Sequence, residues 1–574
     1  MGRDGASLAA PCRRCYALRA VPDILLVTLN CRYSHASLGL RYLYANMGAL
    51  QSRCEIMEFV IGARSESLAE RILERAPRIV GFGVYIWNAE ETARLVAILR
   101  RVAPQLTLVL GGPEVSHETD AQPICRDADF VITGPGDVSF AKLCRQVLDG
   151  EPPAARLIAG EAVAPDELQP PYPWFSDDDL RHRILYVEAS RGCPFRCEFC
   201  LSSLDRTAVP FDPERFLLQM ARLHERGARL FKFVDRTFNL RGTTSESILR
   251  FFLGRIEAAP DDPVYAHFEL IPDRLPERLR ALIARFPPGT LQLEIGIQTW
   301  NPDVQALISR RQDNEKAEHN LAWLRAHTHA HLHVDLIAGL PGEDLASFAA
   351  GFDRLHALGP QEIQIGVLKR LRGAPIARHA GAFGMRFNPS PPYNVLATDR
   401  MPFATVQRIA RFARHWDLVA NSGRFRATLP MLLGLSADAG DAAAEHGSIA
   451  RHSLAEGHDA VATGGARFER FLAFSEWLAA RTGDGAPPSA ERLYEAVHAW
   501  LRSAGHCDDE LADALLAADY TASGLHGRPA FMRRGLRGPG GGRGALKRQS
   551  RFAGAAGDEA TAAAEVGSSF HKVV

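Results

Sequence analysis

From residue 22 to residue 370 the chain repeats one pattern: a short apolar run, a segment with helical spacing, then another apolar run. Strands separated by helices are the signature of parallel crossover connections, so the pattern confines this region to α/β architectures. With 574 residues the chain exceeds what one core supports, and several domains are expected. In a first block, 22–150, strands are expected at Asp23–Leu29, Cys54–Val60, Arg78–Ile86, Leu106–Leu110 and Phe130–Thr133, with helices at Leu38–Met47, Ala89–Val102 and Val138–Leu148. These units imply a flavodoxin-like, doubly wound parallel sheet whose ligands bind at the carboxyl ends of its strands. Those ends carry Tyr85 and Asn88, then Gly111-Gly112-Pro113, then Gly134-Pro135-Gly136-Asp137. Glycine lets a backbone approach a ligand, and amides at a helix start favour phosphate. A ligand-free domain that only shapes a neighbouring site is the competing reading.

A second block, 181–385, holds six more strands separated by helices. Its fourth strand, Leu291–Gln298, places Leu291, Leu293, Ile295 and Ile297 on one face and Gln292, Glu294, Gly296 and Gln298 on the other. The sixth repeats this, with Ile363, Ile365 and Val367 opposite Glu362, Gln364 and Gly366. Tyr186, Glu188 and Ser190 share a face of the first strand, and Tyr265, His267 and Glu269 a face of the third. The aliphatic faces must meet the helices, so the polar faces line the interior of a partial (β/α)6 barrel. A packed barrel interior is branched and apolar; a polar, glycine-bearing one implies a polar ligand. His327, His329, His331 and His333 alternate just before and into the fifth strand; three are expected to precede it in a solvated loop, against the alternative of a second metal site.

Between the first two barrel strands Cys193, Cys197 and Cys200 follow a C-x3-C-x2-C spacing. Three thiolates on one short loop leave a fourth metal position open, whereas structural zinc wants four ligands. The other seven cysteines, at 12, 15, 31, 54, 125, 144 and 507, supply no second pair near the triad, and Cys12 and Cys15 read as a thiol pair in a poorly patterned segment. A zinc knuckle or a redox thiol pair are the bland alternatives.

The run Glu188-Ala-Ser-Arg-Gly-Cys-Pro-Phe-Arg-Cys-Glu-Phe199-Cys200 resembles the cluster loop of radical S-adenosylmethionine (SAM) enzymes. The resemblance implies a 4Fe-4S cluster on the three cysteines, with SAM on the open iron, split to give a 5'-deoxyadenosyl radical. It extends to Lys232–Asn239, Phe268-Glu269, Glu294–Gln298, Asp335–Glu343 and Leu368–Gly373, and implies SAM contacts from Phe199, Asp235, Glu269, Glu294, Gln298, Gly339 and Gly342. The first block resembles the cobalamin-binding domain that precedes many radical SAM barrels, through Gly111-Gly112-Pro113 and Gly134–Phe140. Cobalamin contacts are thereby implied for Tyr85, Asn88, Gly111, Gly112, Pro113, Gly134, Gly136 and Asp137. Two departures stand out. Pro135 and Asp137 occupy positions where the family often has glutamates. Tyr33-Ser-His35-Ala-Ser-Leu-Gly39 also lacks the Asp-x-His-x-x-Gly pattern, so no histidine is expected on cobalt.

Pro389–Tyr393 breaks the pattern, and helices are expected at Val406–Ala420, Phe468–Arg481, Glu491–Ala504 and Asp509–Asp519. This mainly helical domain, 390–533, resembles the uncharacterised extension of one branch of cobalamin-type radical SAM proteins; it either caps the barrel or recognises substrate. Trp477, Trp500 and Tyr520 read as core. The glycine-, alanine- and arginine-rich stretch 534–574 is expected to be a disordered tail. Lysine plus arginine equals aspartate plus glutamate at 67 each, so no global field points to nucleic acid, and no apolar run would span a bilayer. Mostly unpaired cysteines and an oxygen-sensitive cluster suit a reducing cytoplasm. The resemblance implies methylation of an unactivated carbon of a small molecule, with an electron donor such as flavodoxin or ferredoxin. A cobalamin-dependent rearrangement or cyclisation, or a cobalamin- or nucleotide-binding module with a structural metal, are the alternatives.

Overall fold

The computed structural model of the chain describes residues 21–435, 466–483, 488–503 and 509–525, together with residues 529, 532 and 551. Cys12, Cys15, Cys507 and the tail expected at 534–574, apart from Arg551, lie outside the described residues.

The first domain is a six-stranded parallel sheet with spatial order Cys54–Val60, Ile24–Asn30, Ile79–Gly83, Thr107–Gly111, Phe130–Thr133, Leu157–Ala159. The last strand was not expected: at three residues it is too short to show a period. The third is shorter than expected, because the chain leaves the sheet at Val84, where the peptide of Gly112 lies close by. Gly112 has φ +108°, and a Cβ there would lie 2.5 Å from the Val84 carbonyl oxygen, so only glycine fits. Each face of the sheet has its own core, one around Val27, Val80, Leu95 and Leu99, the other around Leu26, Met47, Phe140 and Leu143. Two apolar faces explain why the strands read as near-continuous hydrophobic runs.

The second sheet is also parallel, in sequential order from Leu185–Val187 through Leu230–Phe233, Tyr265–Leu270, Leu291–Gln298 and His331–Ala338 to Glu362–Val367. Leu291, Leu293, Ile295 and Ile297 of the fourth strand are all at most 2% exposed and join the aliphatic core beneath the helices, as the alternation requires. The polar face turns inward, but much of it is satisfied by other side chains. Glu294 Oε2 lies 3.0 Å from His267 Nε2 and 3.7 Å from Lys232 Nζ. Gln292 bonds the Tyr265 hydroxyl, and His333 Nε2 lies 2.9 Å from Gln364 Oε1. The lower interior is thus filled by a polar network, and its upper members, Glu294 and Gln364, also line a cavity.

The histidine expectation needs correction. The fifth strand begins at His331, so two of the four histidines, not one, belong to it. His331 and His333 are buried inside the barrel, not in a solvated loop, and His331 Nε2 lies 3.0 Å from Glu362 Oε1. Burial opposes a charge on His333, but its Asp335 hydrogen bond and the carboxylates of Glu362 and Glu294 outweigh it and raise its pKa to about 9. His327 ends the preceding helix, Asn314–His327, stacked on Trp323.

After a short hairpin, Arg386–Phe387 with Val395–Ala397, come the helices Phe403–Val419, Ala466–Thr482, Ala490–Ser503 and Asp509–Ala522. Phe412, Trp416 and Phe468 pack on Phe352 of the barrel, in one core that runs on to Tyr494 and Tyr520. Trp477 and Trp500 sit partly buried at its edge. No helix among the described residues is long and apolar enough to cross a membrane.

Candidate active site

The cysteine loop leaves the first barrel strand through Gly192, which has φ +86° and whose added Cβ would lie 2.8 Å from the Ala208 amide nitrogen. Its base is anchored to the first domain: Arg191 Nη1 lies 2.9 Å from Asp137 Oδ2, Arg191 Nε 3.0 Å from Glu188 Oε2, and the guanidinium stacks over Tyr42. Cys193, Cys197 and Cys200 then line one cavity of about 230 Å³ at the top of the barrel, with Phe199, Arg236, Glu269, Glu294, Gly296, Gln298, Arg310, Asp335, Gln364, Gly366 and Lys369 among its walls. Burial pushes the Cys193 thiol up to about 11, with Cys200 and Cys197 adding to the rise, so a bare thiolate is disfavoured there. A cationic metal centre reverses that balance.

Of the residues expected to hold SAM, Phe199, Glu269, Glu294 and Gln298 line this cavity. Asp235 does not: its carboxylate accepts from the Ala189 amide at 2.9 Å and the Ser190 hydroxyl at 2.5 Å. Burial raises its pKa to about 7. Asp235 therefore holds the end of the first strand, from which the cysteine loop departs. Gly339 and Gly342, with φ +83° and +80°, make a turn that closes on neighbours; a Cβ at Gly339 would lie 2.4 Å from Val395 Cγ1, and one at Gly342 2.9 Å from Leu307 Cδ1. Arg310 and Lys369 were not among the candidate residues. Arg310 had no sequence signal beyond two adjacent arginines; Lys369 follows the sixth strand by two residues and was legible as part of the segment after it.

A second cavity, about 640 Å³, lies between the two domains. It is lined by Asn30, Cys31, Arg32 and His35 after the first strand, by Tyr85, Ile86 and Trp87 after the third, by Pro113, and from the barrel by Tyr186, Lys232, Arg236 and Glu269. In the strand order 2-1-3-4-5-6 the first and third strands are neighbours whose connections leave to opposite sides, so this is the switch point at which doubly wound sheets bind ligands. His35 Nδ1 lies 2.6 Å from the Tyr186 hydroxyl, and burial lowers the histidine's pKa to about 4. Tyr85 and Trp87 stack with ring centroids 4.4 Å apart.

The remaining candidates from the first domain do not line this cavity. Asn88 is fully buried; its amide donates to the Leu29 and Gly83 carbonyls and its oxygen accepts from the Tyr85 amide. It braces the two strand ends that the cavity uses. Gly111 and Gly112 serve the approach to Val84, Gly134 and Gly136 lie at the neighbouring strand end, and Asp137 holds Arg191. Beside them, Glu114 and Tyr393 tie the domains together: the tyrosine hydroxyl lies 2.7 Å from Glu114 Oε1, and Arg372 Nε donates to the same oxygen at 2.9 Å.

Comparison with known proteins gives two family matches. Residues 187–355 match the radical SAM superfamily, and residues 24–144 match the B12 binding domain. The chain carries a B12 binding domain followed by a radical SAM domain. Among related proteins, 2-(S-pantetheinyl)-carbapenam-3-carboxylate methyltransferase of Streptantibioticus cattleyicolor is 24% identical over 345 residues, 54% of this chain and 50% of the relative. The cobalamin-dependent radical SAM methyltransferase TokK of Streptomyces tokunonensis is 23% identical over 344 residues, 54% of this chain and 49% of TokK. The chain thus spans about half the length of the relatives it matches. Among solved structures, the radical SAM methyltransferase TsrM of Kitasatospora setae aligns with a TM-score of 0.51 at 18% identity, covering 64% of this chain and 79% of TsrM. The cobalamin-dependent radical SAM enzyme OxsB aligns at 0.54 and 12% identity, covering 88% of this chain and 83% of OxsB. These two likenesses are of fold.

A radical SAM core implies a 4Fe-4S cluster and SAM, and a B12 binding domain implies cobalamin. The residues present fit all three. The radical SAM core offers three thiols, not four, facing one cavity. Both Gly296 and Gly366 line that cavity; Gly296 leaves room for the Gln298 side chain, whose Nε2 would lie 2.2 Å from an added Cβ. The B12 binding domain meets the barrel across a cavity at its switch point, roofed by stacked aromatics and floored by polar barrel residues.

Proposed function

We propose that this radical SAM protein is a cobalamin-dependent methyltransferase acting on an unactivated carbon of a small molecule, supplied with electrons by a carrier of the flavodoxin or ferredoxin kind. The observation that carries the reading is that the two cavities share a wall: Arg236, Glu269 and Leu371 line both. When bound, the cluster and SAM supply hydrogen abstraction, and cobalamin supplies the methyl group. The chain's own residues position and exclude. Cys193, Cys197 and Cys200 would hold the cluster; Phe199, Glu269, Glu294 and Gln298 would hold SAM directly, and Asp235, Gly339 and Gly342 through the walls they fix. Tyr85 and Pro113 would contact cobalamin, with Asn88, Gly111, Gly112, Gly134, Gly136 and Asp137 as the framework behind them. In this reading 22–150 serves cobalamin, 181–385 serves the cluster and SAM, and 390–533 closes the barrel, its helices sharing the barrel's core. Relatives named as methyltransferases support the reaction type.

The test is anaerobic reconstitution of the full chain with iron, sulfide and hydroxocobalamin, followed by SAM and a reductant. Formation of both 5'-deoxyadenosine and S-adenosylhomocysteine is expected. Both should vanish, with the bound iron, when Cys193, Cys197 and Cys200 are together replaced by alanine, and neither when Cys12 and Cys15 are replaced. Deoxyadenosine without S-adenosylhomocysteine from the wild type would favour a rearrangement instead.

A further inference from the structure

Three consecutive residues after the fourth barrel strand, Ile308, Ser309 and Arg310, interlock with Cys197 and Glu198 of the cysteine loop. The Glu198 amide donates to the Ile308 carbonyl at 3.0 Å. The Ser309 hydroxyl donates to Glu198 Oε1 at 2.6 Å, and Arg310 Nη1 donates to Cys197 Sγ at 3.6 Å. Ser309 has φ +55°, a left-handed conformation costly for a residue with a Cβ. Such strain persists only where the surroundings over-determine it, and it gathers at functional sites. The restraints are visible on both sides. Arg310 Nη2 donates to the Gly296 carbonyl, Nε donates to Gln312 Oε1 at 3.1 Å, and the Arg310 amide donates to the Gln305 carbonyl at 2.8 Å. Glu198, 4% exposed, is gripped from the far side by Arg378 Nε at 2.8 Å and His379 Nε2 at 2.8 Å, while its carbonyl accepts from the Ile376 amide at 2.9 Å. The outcome of this framework is one guanidinium aimed at one of the three cysteine sulfurs.

We propose that Arg310 is a positioning residue that sets the reduction potential of the cluster, by directing a charged N–H donor at the Cys197 sulfur. The proposal rests on the reading of the loop as a cluster site. Reduction adds an electron to the cluster and makes its sulfurs more negative. A donor hydrogen bond and a nearby positive charge stabilise that state more than the oxidised one and raise the potential. Glu198 and the strained Ser309 act through Arg310, since they fix where its guanidinium lies.

The experiment is a redox titration of the reconstituted full chain without SAM, followed by electron paramagnetic resonance of the reduced cluster, with iron and sulfide measured in each sample. Arg310→Gln is expected to move the midpoint to a more negative potential. Arg310→Lys, which keeps the charge and loses the planar fork, is expected to fall between. Equal midpoints in wild type and Arg310→Gln at equal iron content would overturn the proposal. So would loss of the cluster from both variants with thermal unfolding unchanged, which would make Arg310 an assembly residue. If neither variant folds, Gln312→Leu carries the test: it removes a partner of the guanidinium and leaves the arginine, and a midpoint equal to wild type counts against the proposal. Absence of iron from the wild type would defeat the cluster reading itself, a result separate from all of these.

Discussion

The Arg236 guanidinium lies 3.0 Å from the Glu269 carboxylate, and the pair stands between the barrel cavity and the interdomain cavity. Glu269 is the largest influence holding Arg236 charged, against the burial that opposes it. With Leu371, the pair forms the wall common to both cavities. Glu269→Gln keeps the volume and removes the charge. A hydrogen bond to an ionised group contributes about 1.5–3 kcal/mol, so SAM affinity is expected to fall about 10- to 100-fold while bound cobalamin is unchanged. Isothermal titration with SAM and the corrinoid absorbance of the purified protein check both. Equal loss of the two would place the pair in the fold and not in the partition.

The two faces of the fourth strand make different predictions. Ile295, 2% exposed in the aliphatic core, should lose about 2–5 kcal/mol on truncation to alanine, through the cavity left behind. SAM affinity per folded molecule should be nearly intact. From the alternation alone Glu294→Gln would be neutral for stability. The structure changes that expectation, because Glu294 is the partner of buried His267 and Lys232. A cost of about 1–3 kcal/mol is expected for leaving them without a charged acceptor, together with weaker SAM binding. Thermal unfolding and SAM titration on both variants decide it; weaker SAM binding in Ile295→Ala alone would reverse the faces.

His333 gives the barrel a pH dependence. Its folded pKa, about 9, lies above the ordinary histidine value. Its charge therefore stabilises the fold fully below about pH 6.5, and the contribution is lost as pH rises through about 9. The difference in unfolding free energy between wild type and His333→Gln should shrink steadily over that window. Asp235 and Glu343 also titrate high, at about 7 and about 8, from burial, so the difference between the two proteins is the quantity to follow, not either curve alone. A constant difference from pH 6 to pH 10 would show that His333 is not charged in the folded state.

His35 is held by a residue of the other domain, Tyr186, at 2.6 Å. Electron paramagnetic resonance of the cob(II)alamin form of the full chain is expected to show no nitrogen superhyperfine splitting, and His35→Ala should leave the spectrum unchanged. A splitting that disappears in that variant would show histidine on cobalt.

The α/β class, the cysteine triad and the orientation of the barrel strands were legible in the sequence because each rests on local physics. Helix and strand periods are set by neighbouring residues, three thiolates on one loop need only a short chain, and a strand's two faces follow from its pleat. His331 escaped because the start of a strand is fixed by its partner in the sheet, here the fourth strand, where Gln292 pairs with His331. The glycine-rich ends Gly111-Gly112 and Gly134-Pro135-Gly136 drew attention for their composition. The interdomain cavity opened instead at Asn30–His35 and Tyr85–Trp87, because the order of strands, which no residue-by-residue pattern encodes, puts the first and third side by side.

The sequence by itself determined the elements, the inward face of the barrel and the three cysteines. Only the tertiary structure decided which polar residues are spent on one another and which face a cavity. That division depends on contacts between residues far apart in the chain, such as Arg236 with Glu269 and Arg310 with Cys197. A buried charge or donor is settled by whatever group the fold brings within hydrogen-bond reach.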